Sequence, residues 1–347
     1  MKKYFKHETE LNKIIENYSK IFVLLDENSS RYCLNLINIK KKYKTILIGV
    51  GEKNKNLGRV QDIWNELLLN NADRDSLLIN LGGGVITDMG AFVASTYKRG
   101  IDFINIPTTL LAQVDATIGG KSGVNFSGQK NMIGLFIKSK KVFVDTIFLK
   151  TLSEREIRNG FAEILKHGLI LDKEYFYFAL DEMKKIKSNR KNIDWNKIVE
   201  RSRELKTKIV TDDFKENGIR KILNFGHTIG HVIESYSLKY HKKSLKHGEA
   251  VVIGMIIALN LSIKRVNINK KELTSIIDEL KKNYTLKLEL FDIELLMLNI
   301  KNDKKNRDNK ILFVLLEEIG SATFDHKISL KEIETEIQLF FIKNSFN

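Results

Sequence analysis

The residues best suited to chemistry gather in the second half of the chain. The stretch from Leu223 to Glu234, followed after a short basic loop by His247-Gly-Glu249, holds His227, His231 and His247, three of the chain's seven histidines. Its apolar and small residues predict a helix over Asn224–Tyr236, and the i,i+4 spacing puts His227 and His231 on one face. Imidazole is the commonest protein ligand for a transition metal, so the pair can be read as a metal grip, although histidines at this spacing are more often polar packing or surface. Upstream, Glu163 and Lys166 stand at i,i+3 among small and apolar neighbours (Gly160, Ala162, Ile164, Leu165). An exposed ion pair is the plain reading; a buried one would supply an oxygen ligand beside the histidines. Two imidazoles and one carboxylate leave a fourth position open, the arrangement of a catalytic zinc site. Arg203, Lys206, Arg220 and Asn224 lead into the stretch, with Arg220 about two helical turns before His227 if the helix reaches that far. Cations beside a metal suit a substrate carrying carboxylate or phosphate, although surface arginines look the same in sequence.

The first half carries a different chemistry. Gly82-Gly83-Gly84 follows an apolar run and opens a helical pattern, which lets a backbone approach a phosphate closely. Thr87 stands where the third glycine of the dinucleotide fingerprint belongs, so a tight strand-to-helix turn explains the glycines as well. Val114–Lys121 and Gly128–Asn131 place Asp115, paired glycines, Lys121, Lys130 and Asn131 close together. That density suggests a loop recognising an anionic, hydroxylated ligand.

The elements that must position these residues fall into two groups. Ile21–Leu25, Thr45–Gly49, Ser76–Asn80, Phe103–Ile106 and Val142–Asp145 are short apolar runs without alternation, as strands buried on both faces are. Helical patterns over Asn56–Asn70 and Val85–Tyr97 lie between them, which predicts a parallel α/β sheet. Ligands of such sheets sit beyond the carboxyl ends of the strands, where Asp26, Glu52, Gly82–Gly84 and Pro107–Thr109 fall. After about Thr151 helices take over: Glu154–Leu171, Ile193–Thr211, Asn224–Tyr236, His247–Val266 and Lys270–Asn283. A small hairpin is expected from Ile311–Leu316 and Ala322–Phe324 around Gly320. The expected organisation is an α/β domain over residues 1–150 and a mainly α-helical domain over residues 151–347, with no internal repeat and no flexible linker, Pro107 being the one proline.

A chain of 347 residues with 43% hydrophobic composition can bury two cores. Its net charge of +15 comes from 58 basic against 43 acidic residues, much of it in lysine runs such as Lys40–Lys42 and Lys184–Lys185. These read as a solvated face; a nucleic-acid footprint is the rival, without a supporting motif or interleaved aromatics. Cys33 is the single cysteine, which excludes an intramolecular disulfide and a thiolate metal cage and fits a reducing compartment. The N-terminal residues lack the apolar core of a secretory signal, and the uncharged stretch Ala250–Ile263 falls short of the roughly twenty residues that span a bilayer. A soluble, cytoplasmic protein is expected.

Taken in order, Gly82-Gly-Gly-Val85, Arg99-Gly100, Ile106–Leu111, Val114-Asp115, Gly119-Gly-Lys121, Lys130–Gly134, Ala162-Glu163, Lys166, Leu223-Asn224, Gly226-His227, Gly230-His231 and His247–Ala250 resemble the 3-dehydroquinate synthase family, from about Asp26 to Asp303-Lys-Lys305. The resemblance implies a Rossmann-like NAD-binding domain, a helical metal-binding domain and a homodimer. It implies conversion of 3-deoxy-D-arabino-heptulosonate 7-phosphate to 3-dehydroquinate and phosphate, on the shikimate route to aromatic amino acids. One Zn2+ (or Co2+) per chain would be held by Glu163, His227 and His247. His231 would then assist proton transfer or phosphate binding. NAD would meet Asp26, Glu52, Lys55, Gly83, Gly84, Asp88, Thr108, Thr109 and Thr151, with Lys121 and Lys130 also in reach. The anionic sugar phosphate would meet Arg99, Asp115, Lys121, Lys130, Asn131, Lys166, Lys206, Arg220, Asn224 and one of Lys304 or Lys305. Gln129, Ser122-Gly123 and His167 depart from the family's usual residues, as does a long basic loop over Ser237–Lys246. Related sugar-phosphate cyclases and metal-dependent polyol or glycerol-phosphate dehydrogenases share the superfamily; Gly-Gly-Lys121 and Leu-Asn224 favour dehydroquinate.

Overall fold

The computed structural model describes residues 5–284, 291–302 and 310–344. Within them the chain forms two compact units, one from the chain up to Gly160 together with Trp195–Arg203, the other from Phe161–Asp194 and from Glu204 onward.

The first unit runs α1 (Glu8–Ile15), β1 (Ile21–Asp26), α2 (Glu27–Tyr32), β2 (Tyr43–Ile48), α3 (Leu57–Leu69), β3 (Leu77–Gly82), α4 (Gly84–Thr96), β4 (Asp102–Pro107), β5 (Lys121–Phe126), β6 (Gln129–Phe136) and β7 (Lys141–Val142). Five strands form a parallel sheet in the order β2-β1-β3-β4-β7. Unbroken apolar strands make sense here because both faces are covered. Phe22 and Leu24 of β1 pack on one side with Val60, Ile63, Met89 and Phe92 of α3 and α4. Ile21, Val23 and Leu25 pack on the other with Leu11, Ile15, Phe143 and Phe148. Each such buried side chain contributes roughly 1.5–3 kcal/mol. Strand order reverses between β1 and β3, so the crevice at their carboxyl ends, marked by Asp26 and Gly82–Gly84, is where a doubly wound sheet takes a ligand.

Two expectations need correction in this unit. The segment expected as one ligand-binding loop is an antiparallel pair, β5 with β6, preceded by a π-helical turn over Ala112–Ala116. Gly123 and Gly134 interrupt the strands opposite each other, which removes the alternation that would have betrayed them. The last strand ends at Val142, because Asp145 turns to cap a 3-10 helix and accepts the Ile147 N–H at 3.0 Å. Gln113 pins the π-helical turn, its Nε2 donating to Pro107 O at 3.1 Å and Asp145 O at 2.8 Å. Cys33 is buried; burial, then the Asp26 charge, push its thiol up to about 12 and leave it inert.

The second unit is mainly helical. α5 (Glu154–Leu171) leads into it, followed by α6 (Lys173–Ser188), the part of α7 (Trp195–Asp212) from Glu204 onward, α8 (His227–Tyr240), α9 (His247–Arg265), α10 (Lys270–Asn283), α11 (Ile293–Asn302), the hairpin β8 (Lys310–Glu318) and β9 (Ser321–Ser329), and α12 (Leu330–Asn344). α9 has the length and apolarity to cross a membrane, but most of it is buried within this unit, as a core helix is. The hairpin is longer than the sequence indicates. α8 continues to Tyr240, so the basic loop expected over Ser237–Lys246 is confined to His241–Lys246. Among the lysines of the charged runs, Lys184 pairs with Asp181 at 3.0 Å and Lys185 with the buried Glu182 at 2.5 Å.

Ser262, fully buried on α9, joins helix to hairpin: its Oγ donates to Ala258 O at 2.8 Å and accepts the Leu316 N–H at 3.0 Å. Ser262→Ala leaves that N–H without its acceptor, and urea unfolding should show a stability loss of about 1–3 kcal/mol.

Candidate active site

Glu163 lies on α5 with its side chain wholly excluded from solvent. Lys166, one turn on and 2% exposed, contacts Glu163 Oε2. Glu163 Oε1 faces two imidazoles, His227 Nε2 at 3.3 Å and His247 Nε2 at 3.4 Å. The other nitrogen of each ring is occupied. His227 Nδ1 is 3.1 Å from Phe225 O, and His247 Nδ1 is 3.1 Å from Glu234 Oε2. Neither oxygen of Glu163 makes a hydrogen bond of proper geometry. A buried carboxylate lacking hydrogen bonds, faced by two imidazole nitrogens whose partner nitrogens are held, is the donor chemistry of a divalent metal site with its supporting shell.

Burial by itself raises the Glu163 pKa, but the Lys166 ammonium and then the imidazoles hold the carboxyl well below its usual range. His227 is lowered, by burial first and then by Lys166, which together outweigh Glu163. His247 goes the other way: burial opposes its charge, yet Glu234 and Glu163 raise it to about 10.

The positions of the two histidine-bearing helices rest on close backbone approach. Gly226 sits at φ 76 just before α8, and a Cβ on it would meet Met255 N at 2.9 Å and Val251 O at 3.0 Å of α9. Only glycine accepts both the left-handed conformation and that contact. This break corrects the expected helix: it starts at His227, and the preceding Ile219–Asn224 is a 3-10 turn. Arg220 therefore shares no helical face with His227. It is buried, and its Nη1 donates to Phe214 O at 2.5 Å. His231 is exposed one turn along α8, its ring centroid 5.0 Å from that of His227. Donor atoms of His227, His231 and His247 all lie within 4.8 Å of one another, so three imidazoles and Glu163 converge on this place. Lys206 is buried, and Asn224 Nδ2 donates to Glu216 Oε1 at 2.7 Å. Lys304 and Lys305 lie outside the described residues. Glu234 was missed in the sequence; its signal is its place two turns beyond His227 on the same helix.

In the first unit, Gly83 opens α4 with no side-chain cap, so the first backbone N–H groups are presented to an anion. A Cβ at Gly83 would lie 3.0 Å from Thr109 Cγ2. Asp26 caps α2, accepting the Ser29 N–H at 2.7 Å. Lys55, 3% exposed, donates to Asp88 Oδ2 at 2.6 Å and Asn131 Oδ1 at 2.5 Å. Burial pushes the Asp88 carboxyl up, and Lys55 only partly offsets it. Lys130 Nζ is 3.4 Å from Glu52 Oε1. Glu52, Lys55, Asp88, Lys130 and Asn131 are thus one cluster. Thr108 is buried, whereas Arg99 and Lys121 are exposed and Asp115 is half-buried on the π-helical turn. Thr151 ends a 3-10 helix, its Oγ1 donating to Phe148 O at 3.3 Å.

Residues 45–159 match the family model described as 3-dehydroquinate synthase N-terminal, and residues 160–306 that described as 3-dehydroquinate synthase C-terminal. The chain is 39% identical to a 3-dehydroquinate synthase of Parabacteroides distasonis over 338 residues, covering 95% of this chain and 93% of that protein. Among solved structures it is similar to 2-epi-5-epi-valiolone synthase from Streptomyces hygroscopicus, solved with NAD+ and Zn2+ (TM-score 0.79, 26% identity, 95% and 93% of the chains). It shares its fold with a 2-deoxy-scyllo-inosose synthase solved with carbaglucose-6-phosphate, NAD+ and Co2+ (TM-score 0.84, 22% identity, 97% and 95%).

Lys166 is the fixed positive charge beside Glu163. In the metal-free protein, Lys166→Met should lower stability by about 3–5 kcal/mol, because a buried charge loses its partner. Adding Glu163→Gln should recover most of that loss; urea unfolding in which the double variant is no more stable than the single would show that Lys166 acts through packing alone.

Proposed function

The chain belongs to the 3-dehydroquinate synthase family, and from that premise we propose that it is an NAD- and metal-dependent enzyme converting 3-deoxy-D-arabino-heptulosonate 7-phosphate to 3-dehydroquinate with loss of phosphate. The observation that carries this reading is the convergence of Glu163 Oε1 on His227 Nε2 and His247 Nε2, at 3.3 and 3.4 Å. We assign the metal to these three residues, with Zn2+ or Co2+ as the ion, the two named with solved relatives. The buried carboxylate, its want of hydrogen bonds and the held Nδ1 atoms support the assignment. When bound, the ion supplies Lewis acidity at the substrate hydroxyls and NAD accepts and returns one hydride.

The chain's own residues do the rest. Lys121, Lys130, Lys166, Lys206 and Arg220, with either Lys304 or Lys305, bind the carboxylate and phosphate and stabilise negative charge as the phosphate leaves. Asn131, Asp115, Asn224 and Arg99 orient the hydroxyls. His231, exposed beside His227, moves a proton. The cluster of Glu52, Lys55, Asp88 and Lys130 with the Gly83–Gly84 turn, Asp26, Thr108, Thr109 and Thr151 receives the dinucleotide, in keeping with a helix N-terminus that lacks a side-chain cap. Residues 1–150 then receive NAD and residues 151–347 the metal, with the substrate-binding side chains drawn from both stretches. The family resemblance supports a cytoplasmic homodimer, and the inert single Cys33 suits a reducing compartment.

Incubation with the heptulosonate phosphate, NAD and Zn2+ should release phosphate and form 3-dehydroquinate with no net NADH. Steady NADH production from a polyol would point instead to a dehydrogenase of the superfamily, and a different cyclised product to another sugar-phosphate cyclase. Glu163→Ala, His227→Ala and His247→Ala should each lose zinc on dialysis, whereas His231→Ala should keep zinc and lose rate; metal analysis showing His231→Ala stripped as well would move the ligand set to the three histidines.

A further inference from the structure

Asn125 lies on β5 at a register shift between Val124 and Phe126. Its side-chain amide makes two hydrogen bonds to segments that differ in proposed role, one of them distant in sequence and the other on the neighbouring strand. Nδ2 donates to Glu52 Oε1 at 2.9 Å, and Oδ1 accepts the backbone N–H of Asn131 at 2.9 Å. A third bond fixes the backbone beneath it, Asn125 N–H donating to Lys55 O at 2.9 Å. The amide can face only one way, since its oxygen meets a donor and its nitrogen meets a carboxylate.

Both partners need the support. Asn131 is held at φ 52, a left-handed conformation that is uncommon outside glycine and least costly for asparagine. In that conformation its own side chain accepts from Lys55 Nζ, which also reaches Asp88. Glu52 begins the short 3-10 turn Glu52–Asn54 and is also approached by Lys130. One amide thus connects a residue assigned to NAD with a residue assigned to the sugar phosphate.

We propose that Asn125 is a positioning residue that joins the Glu52 arm of the nucleotide site to the Asn131 arm of the substrate site through its two hydrogen bonds. The proposal rests on the roles given to Glu52 and Asn131 above. The Glu52 arm can be cut alone, and both arms can be cut together. Asn125→Asp keeps an acceptor for the Asn131 N–H but sets a carboxylate against Glu52. Asn125→Leu, similar in size, removes both bonds.

Isothermal titration of the full chain with NAD, and steady-state kinetics with the heptulosonate phosphate, separate the arms. Asn125→Asp should raise the NAD Kd tenfold or more while the sugar-phosphate KM changes less than threefold. Asn125→Leu should raise both tenfold or more, with zinc content unchanged in each variant. A merely structural tie would move NAD and substrate together in both variants, and that result would overturn the proposal. So would an NAD Kd within twofold of the parent in Asn125→Asp, which remains informative if Asn125→Leu does not fold. Glu52→Ala distinguishes the causes of failure: if it weakens NAD binding and Asn125→Asp does not, the link through Asn125 is wrong. If neither changes NAD binding, the assignment of Glu52 is wrong and the proposal falls with it.

Discussion

A carboxylate with no solvent exposure has to be compensated, and the helical unit is arranged around compensating Glu163. Lys166 does so from the same helix and two imidazoles do so from α8 and α9. Compensation brings its own constraints. A His247 that faces Glu163 with Nε2 exposes Nδ1 to whatever lies behind it, and the structure places Glu234 there. The carboxylates on either side give the ring a fixed direction. His227 gets the same from the Phe225 carbonyl, which is available because the backbone breaks its helical course at Gly226. The electrostatics and the backbone geometry of the site are therefore one problem.

The sheet unit solves a different problem, presenting polar groups at the end of a fully apolar layer. β1 and β3 have no exposed face, so polar groups are confined to where the strands stop: Asp26 at the carboxyl end of β1 and the glycine turn at the carboxyl end of β3, side by side. The β5–β6 pair adds what the strand ends lack, side chains long enough to form a hydrogen-bonded cluster with Lys55 and Glu52.

Much of this was legible in the residues. Unalternating apolar runs predict doubly buried strands, and β1, β3 and β4 are buried in this way, whereas β2, at the edge of the sheet, is largely exposed. The Glu163–Lys166 spacing leaves an exposed or a buried pair open, with the small and apolar neighbours pointing to the buried one, and the pair is buried. What escaped has physical reasons. The β5–β6 pair carries glycines and lysines in place of alternation, so it reads as loop. The start of α8 was misplaced because Gly226 looks like another small helical residue until its left-handed backbone is seen. Glu234 and Asn125 act through partners distant in the chain, and spacing reports only neighbours. Lys304 and Lys305 lie beyond the described residues.

The contact of Gly226 with Met255 and Val251 has a consequence for how the site meets its ligands. Two helices touching backbone to backbone cannot slide or rotate much, so the separation of His227 and His247 is set when the chain folds and not when an ion arrives. The entropy of bringing donors together is lost once, during folding, and binding starts from a nearly finished geometry. It also frees the connecting segment His241–Lys246 from any role in spacing the ligands. A change in that segment's length or charge leaves the two imidazoles where the glycine contact puts them.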